Sequence, residues 1–187
     1  KTVPMQRLLQ GDVGAGKTVV ALRAIAQVVG QGGQCALLAP TEVLAAQHVS
    51  SLKRLLSQVG PINGAQSTKG TQDKGAQGAE SATLPGLEVG AADKVYLLTA
   101  SMSVPAKRAV LAKLASGESA IVVGTHALLS DTVQLPGLGL VVIDEQHRFG
   151  VAQRNVLRER GSLDPSGAHT TPHLLVMTAT PIPRTVA

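Results

Sequence analysis

The sequence Gly11-Asp12-Val13-Gly14-Ala15-Gly16-Lys17-Thr18 matches the phosphate-binding pattern G-x-x-x-x-G-K-[ST], and this stretch decides the fold. Its glycines let the backbone wrap closely around phosphate oxygens. The N–H groups of such a loop form an anion nest, and the helix that follows adds its positive end. Lys17 is predicted to reach the β- and γ-phosphates, and the Thr18 hydroxyl to bind magnesium. The stretch therefore predicts a site for ATP with Mg²⁺.

The segments that flank this loop decide between a nucleotide site and a chance match. The chain has 20 glycines, so a chance match has to be considered. However, residues 7–10, with Leu8 and Leu9 at their centre, predict a short strand before the loop, and residues 17–29 predict an apolar helix that packs deep against a sheet. Strand, loop and helix in this order are the context that the pattern requires, so the nucleotide site is the favoured interpretation.

Short apolar runs alternate with helical patterns along the rest of the chain. The runs are continuous rather than alternating, which is typical of strands that are buried on both faces. Such an alternation predicts an α/β fold with three layers, in which helices cover both faces of a mostly parallel sheet. Strands are predicted at residues 7–10, 35–39, 95–99, 120–124, 138–143 and 174–177, and helices at residues 17–29, 42–59, 103–115 and 151–160.

Residues 61–93 interrupt this alternation. They are rich in Gly, Ala, Gln, Ser and Thr and poor in large apolar side chains. We interpret them as a flexible surface insertion within one domain that covers residues 1–187. A loop that contacts DNA or a partner is the alternative.

Two carboxylates follow the predicted strand at residues 138–143. Asp144 is placed to hold magnesium, and Glu145 is placed to orient and deprotonate the attacking water. The alternative is a solvated turn after an edge strand, which the presence of the phosphate loop disfavours. Hydrolysis needs a base of this kind, whereas a protein that only binds nucleotide as a switch does not.

The composition limits which partners and which cellular compartment are expected. The net charge of +5 fits a polyanionic partner, and an aromatic content of 1% argues against base stacking, so phosphate contacts should dominate. Cys35 is the one cysteine, which predicts a buried thiol and a cytoplasmic protein. No apolar run reaches the ~18 residues of a membrane span, and the N-terminus does not look like a signal peptide. The abrupt ends suggest an excised domain.

The phosphate loop together with Asp144-Glu145-Gln146-His147 resembles the superfamily 2 helicases and translocases. The clusters that follow the other predicted strands resemble further motifs of this superfamily, although Ala100 stands where a glycine is expected. The longer segments around the phosphate loop, Asp144 and Thr178 resemble most closely the motors of branched DNA. These clusters lie at residues 39–48, 98–101, 124–128 and 178–181.

The resemblance implies a RecA-like P-loop NTPase fold and roles at the matching positions. Lys17, Asp144 and Glu145 would be catalytic, and residues 11–18 would bind the nucleotide. The coupling of the γ-phosphate to DNA and to domain movement would fall to Gln146, His147, Thr178 and Thr180. The DNA backbone would be contacted by Pro40, Thr41, Thr125 and His126, for which helix caps and turn residues are the alternative roles.

The resemblance also implies what lies outside this sequence. A second RecA-like domain would supply arginine fingers, and a wedge domain would grip branched or double-stranded DNA. We therefore expect an ATP-dependent DNA helicase, monomeric and without a membrane partner, whose isolated fragment binds ATP weakly and hydrolyses it slowly. Another superfamily 2 translocase, such as the transcription-repair coupling factor, and a nucleotide-switched binding module remain alternatives.

Overall fold

A six-stranded parallel sheet forms the centre of the computed structural model, which describes residues 4–12, 15–58, 91–145, 162–163 and 169–179. Ser162–Leu163 and His169–Thr170 form a separate antiparallel pair, which the sequence did not predict. The sheet order is β1-β8-β5-β2-β4-β3. The strands are β1 Gln6–Gln10, β2 Gln34–Leu38, β3 Val95–Leu98, β4 Ala120–Gly124, β5 Leu138–Asp144, β6 Ser162–Leu163, β7 His169–Thr170 and β8 His173–Thr178.

Helices cover both faces of this sheet, which confirms the predicted three-layer α/β fold. Helices α1 (Lys17–Gly30) and α2 (Glu42–Gln58) pack on one face. Helix α3 (Val104–Ala115) and the 3₁₀ turn His126–Leu129 pack on the other. A second 3₁₀ turn, Ala91–Lys94, leads into β3. The helix predicted at residues 151–160 and almost all of the insertion predicted at residues 61–93 lie outside the described residues.

Successive side chains of the central strands enter opposite halves of the core. In β2, Cys35 and Leu37 pack with α1 and α2, whereas Ala36 and Leu38 pack with α3. All four are at most 2% exposed, as expected for a strand covered on both faces. The buried thiol predicted for Cys35 is thereby confirmed.

Two parts of the predicted burial pattern are wrong. Strand β1 pairs only with β8 among the described strands, so it lies at the sheet edge, and Leu8 is 54% exposed. Helix α1 was expected to be packed deep along its length, yet Val19 and Val20 in its first turn are about half exposed. From Ala21 onward one side of the helix is buried against the sheet, whereas Arg23 and Gln27 stay exposed.

Gln34 connects three segments at the amino-terminal edge of the sheet. Its side-chain amide donates to the carbonyls of Leu114 (2.7 Å) and Glu118 (3.1 Å). Its Oε1 atom accepts the N–H of Gly137 at 3.0 Å. Because Gln34 is fully buried, these hydrogen bonds replace the water that its amide loses on folding. They fix the end of α3 and the turn before β5 against β2.

The carboxyl ends of all six parallel strands meet at one edge of the sheet. In register, Gln10 lies beside Thr178, Asp144 beside Met177, and Leu38 beside both Ile143 and Gly124. Ligands of parallel sheets bind beyond this edge, and every candidate site residue that is described follows or ends one of these strands. Among the described residues, no helix has the length and apolar character needed to cross a membrane.

Candidate functional site

The side chain of Lys17 contacts the first residues that follow β1. The Nζ atom of Lys17 donates to the carbonyls of Gly11 at 2.5 Å and Asp12 at 2.7 Å. Gly16 immediately before α1 has φ 77°, a left-handed conformation that glycine adopts without strain. The first N–H groups of α1 point out of the helix at this end, so a cation and a helix N-terminus converge on one loop.

Thr178 joins this loop to the adjacent strand. The Gly11 N–H donates to the Thr178 carbonyl at 3.3 Å, and the Thr178 side chain is buried. Strand β8 separates β1 from β5, so the loop and Asp144 start from strands about 10 Å apart, at the usual strand spacing. A nucleotide phosphate chain with its cation would span this distance. Thr178, at the end of β8, lies between the phosphate loop and Asp144.

Asp144 contacts a side chain that the sequence did not single out. The Nε2 atom of His48, on α2, lies 2.8 Å from Asp144 Oδ2, and the two side chains are only 14% and 18% exposed. The contact joins residues 96 positions apart in the chain. His48 thus ties α2 to the end of β5.

Glu145 has a backbone conformation that is uncommon for its residue type. Its φ of 57° is the one positive φ at a non-glycine residue in the described part of the chain. Such strain in a non-glycine residue concentrates at functional sites. Glu145 comes immediately after β5 at the carboxyl edge, and its side chain is partly buried there.

The loops after β2 and β3 are joined by Glu42. Its carboxylate accepts the N–H groups of Ala100 (3.0 Å) and Ser101 (3.2 Å) and the Ser101 hydroxyl (2.5 Å). The Ser101 side chain, followed by the backbone N–H groups, holds the pKa of the Glu42 carboxyl below its ordinary value. Alanine at position 100, where a glycine is expected, is compatible with this contact, because Glu42 accepts the backbone N–H of Ala100.

The four residues predicted to contact DNA follow β2 and β4. Thr41 caps α2, since its Oγ1 accepts the Leu44 N–H at 3.3 Å, which confirms the alternative role that the sequence left open. Pro40 is partly buried and His126 is exposed. Thr125 is 3% exposed, and its hydroxyl has no hydrogen-bond partner among the described residues. The loops after β2 and β4 place all four residues at the carboxyl edge of the sheet, but the side chain of Thr125 is buried.

Several predicted site residues fall outside the described part of the chain. Those that the structure places at the carboxyl edge are Gly11, Asp12, Ala15, Gly16, Lys17, Thr18, Pro40, Thr41, Thr125, His126, Asp144, Glu145 and Thr178. The residues outside it are Val13, Gly14, Gln146, His147 and Thr180. Sequence reasoning missed His48 and Glu42 as contributors, although both lie in the segment 39–48 that resembled a superfamily motif.

The donor set fits magnesium held partly by a nucleotide. Thr18 offers a hydroxyl and Asp144 a carboxylate, both oxygen ligands of the kind that Mg²⁺ prefers. No cluster of three or more His, Cys, Asp or Glu side chains suited to a metal occurs among the described residues. Magnesium is usually bound by one or two carboxylates with phosphates and water, so a protein cage is not required.

Comparison with known proteins gives concordant matches. The family model of the DEAD/DEAH box helicases matches residues 4–85 and 88–187. ATP-dependent DNA helicase RecG of Mycobacterium tuberculosis is 54% identical over 184 residues, which are 98% of this chain and 21% of that protein. RecG of Mycobacterium leprae is 50% identical over 188 residues, or 100% of this chain and 22% of that protein.

A solved structure of RecG bound to a three-way DNA junction superposes with a TM-score of 0.64 at 35% identity. The superposition covers 97% of this chain and 19% of the RecG chain. The Pyrococcus furiosus Hef helicase domain, 23% identical with a TM-score of 0.56, shares the fold over 95% of this chain and 30% of its own. This chain therefore spans about a fifth of the length of the RecG proteins that it matches. The predicted resemblance is confirmed.

Proposed function

Because this chain belongs to the DEAD/DEAH box helicase family, we propose that it is the ATP-binding motor domain of an ATP-dependent DNA helicase that acts on branched DNA. The observation that carries the proposal is the common edge of the sheet, where the Lys17 loop, Asp144 and the loops after β2 and β4 meet. Branched DNA is proposed as the substrate because the RecG relatives are DNA helicases and one RecG structure contains a three-way junction.

We assign the phosphates of ATP to residues 11–18. Lys17 would replace its two loop carbonyls with β- and γ-phosphate oxygens, and the N-terminus of α1 would add further attraction for negative charge. Thr18 and Asp144 would hold Mg²⁺, which would neutralise charge that develops on the phosphates. Glu145, adjacent to the cation ligand, would orient the attacking water and accept its proton.

We assign DNA contacts to Pro40, Thr41, Thr125 and His126, and coupling to Gln146, His147, Thr178 and Thr180. For Thr178 the supporting contact is its carbonyl, which accepts the N–H of Gly11 at the start of the phosphate loop. A displacement of β8 would therefore move the loop directly. The net charge of +5 supports attraction to a phosphate backbone that carries no sequence information.

The test of this function uses the full-length protein with a three-way junction and with linear duplex of the same length. Glu145→Gln should leave nucleotide binding intact and lower junction-stimulated hydrolysis by about 10²-fold or more, because the general base is lost. Glu118→Gln is the matched control, since Glu118 is exposed and precedes the opposite end of β4. Unchanged hydrolysis in Glu145→Gln would refute the assignment of the base.

The same measurements separate the alternatives. Equal stimulation by linear duplex and by the junction would favour another superfamily 2 translocase. ATP binding without DNA-stimulated hydrolysis in the unmodified protein would favour a nucleotide-switched binding module. The isolated chain should hydrolyse ATP slowly even with DNA, because arginines supplied by a second domain can be worth about 10³–10⁵ in rate.

A further inference from the structure

The contact between His48 and Asp144 lies where the proposed cation site meets helix α2. His48 Nε2 and Asp144 Oδ2 are 2.8 Å apart, and both side chains are largely buried. A carboxylate at the end of a buried strand loses much of its hydration, so a hydrogen bond from a neighbouring side chain replaces part of the lost water. The contact engages one of the two carboxylate oxygens.

We propose that His48 is a positioning residue that fixes the orientation of Asp144 toward Mg²⁺, an inference that rests on the proposed function. Asp144 has two side-chain dihedral angles, and a hydrogen bond to Oδ2 restricts both of them. Donors to a ligating carboxylate fix its orientation, and their loss typically lowers metal affinity by about 10- to 100-fold. Because a carboxylate only accepts, Nε2 carries the proton in this contact.

The position of His48 on α2 gives the contact a second consequence. Glu42, six residues earlier on the same helix, binds the backbone of the loop after β3, and Thr41 caps the helix beside it. Six residues of helix span about 9 Å. A rigid helix therefore has the proposed DNA contact Thr41 at its first turn, and about one and two-thirds turns after Glu42 it carries His48, which contacts the cation ligand Asp144. We infer that DNA binding at that first turn shifts His48 and thereby the orientation of Asp144.

The test compares His48→Ala, His48→Gln and Gln47→Ala in the full-length protein. Glutamine places an amide nitrogen near the position of Nε2 and can still donate to Asp144. Gln47 is exposed and precedes His48, so its replacement controls for changes in the helix itself. Binding of a fluorescent ATP analogue is titrated with Mg²⁺, and Mn²⁺ binding is followed by electron paramagnetic resonance.

His48→Ala should raise the Mg²⁺ concentration at half-saturation by about 10-fold or more, in the range seen when a partner of a metal ligand is removed. His48→Gln should restore most of this affinity, and Gln47→Ala should behave as the unmodified protein does. Binding of the analogue without any divalent cation should be the same in all four proteins. A merely structural contact would instead lower the melting temperature of His48→Ala and leave its Mg²⁺ dependence unchanged, which would overturn the proposal.

Junction DNA tests the link through α2. It should change the Mg²⁺ requirement of the unmodified protein, and this change should be lost in His48→Ala and kept in Gln47→Ala. An equal effect of DNA on His48→Ala would overturn the link. If the unmodified protein showed no Mg²⁺-dependent nucleotide binding at all, the proposed function itself would fail. If it bound normally and His48→Ala matched it, this inference alone would fail.

Discussion

Replacing Gly124 with alanine should damage the part of the domain that we propose contacts DNA while sparing the part that we propose binds nucleotide. Gly124 is the last residue of β4 and lies in register between Leu98 and Leu38. A Cβ atom at this position would lie 2.1 Å from the Leu98 carbonyl oxygen and 3.0 Å from the Leu128 side chain. The first neighbour is backbone, so no change of side-chain rotamer relieves the clash, and β3 must move by about 1 Å.

The expected cost is about 3 kcal/mol in the local free energy of unfolding, at the upper end of the cost of overpacking. The displaced residues are neighbours of Thr125 and Thr99, which follow β4 and β3. Strand β1, which precedes Lys17, strand β8, and strand β5, which ends at Asp144, lie on the other side of β2. Nucleotide binding should therefore persist, whereas stimulation of hydrolysis by DNA should fall.

Hydrogen exchange of the full-length protein, read by mass spectrometry on peptides of β3 and β4, gives this local free energy. Gly139→Ala is the matched control, because its Cβ would meet only Val28 Cγ1, at 2.9 Å, and a side chain can rotate away. The reasoning would be refuted if Gly124→Ala exchanged like the unmodified protein. It would also be refuted if Gly139→Ala cost more, or if Gly124→Ala lost nucleotide binding before its response to DNA.

Three further predictions concern side chains outside the proposed catalytic set. Gln34→Leu should lower the local free energy of unfolding by about 3 kcal/mol, because the buried Leu114 carbonyl, the partly buried Glu118 carbonyl and the Gly137 N–H lose their partner; equal hydrogen exchange of the α3 and β5 peptides would contradict this. Glu42 should stabilise the loop after β3 at pH values above the ordinary pKa of 4.5, and this stabilisation should be lost as the pH falls through the lowered pKa of the folded state. Hydrogen exchange of that loop in Glu42→Gln should therefore differ from that of the unmodified protein at pH 7 and become equal to it in acid. Burial raises the pKa of the Cys35 thiol far above neutrality, so maleimide labelling of the Cys35 peptide should be slow in the folded protein at pH 7 and at pH 9 and fast after unfolding; a rate that rises with pH as for an exposed cysteine would contradict it.

The sequence predicted the elements that depend on continuous apolar runs and on local motifs. Strands β2, β4 and β5 were predicted to within a residue or two, because each is a run of aliphatic side chains that is buried on both faces. The same logic failed for β1, where Leu8 looks like a core residue but belongs to an edge strand. Whether a strand lies at the edge or in the centre of a sheet depends on which strands pair with it, and that pairing is a property of the whole sheet.

The candidate site divides in the same way. Lys17, Thr18 and Asp144 could be proposed from the sequence, because the chemistry expected of them depends on residue type at fixed spacing beside a strand. The role of His48 depends on a contact across 96 residues, and an isolated histidine in an amphipathic helix gives no sign of its partner. Glu42 looked like a helix-start residue, yet its carboxylate also orders a loop 58 residues later. Such pairings follow from strand order, which the spacing of motifs along the chain does not contain.

Strand order also determines where the two proposed activities must communicate. The residues proposed to bind nucleotide follow or end β1, β8 and β5, and the residues proposed to contact DNA follow β2 and β4, so the boundary between the two proposed sites falls between β5 and β2. Hydrogen bonds of the sheet cross it, but a paired, buried sheet resists displacement. Helix α2 follows β2 on the DNA side, and its His48 contacts the last residue of β5 on the nucleotide side. A contact between side chains can change with far less displacement than a strand pair, so the His48–Asp144 contact is one place within the described part of the domain where a signal between the two proposed sites can cross this boundary.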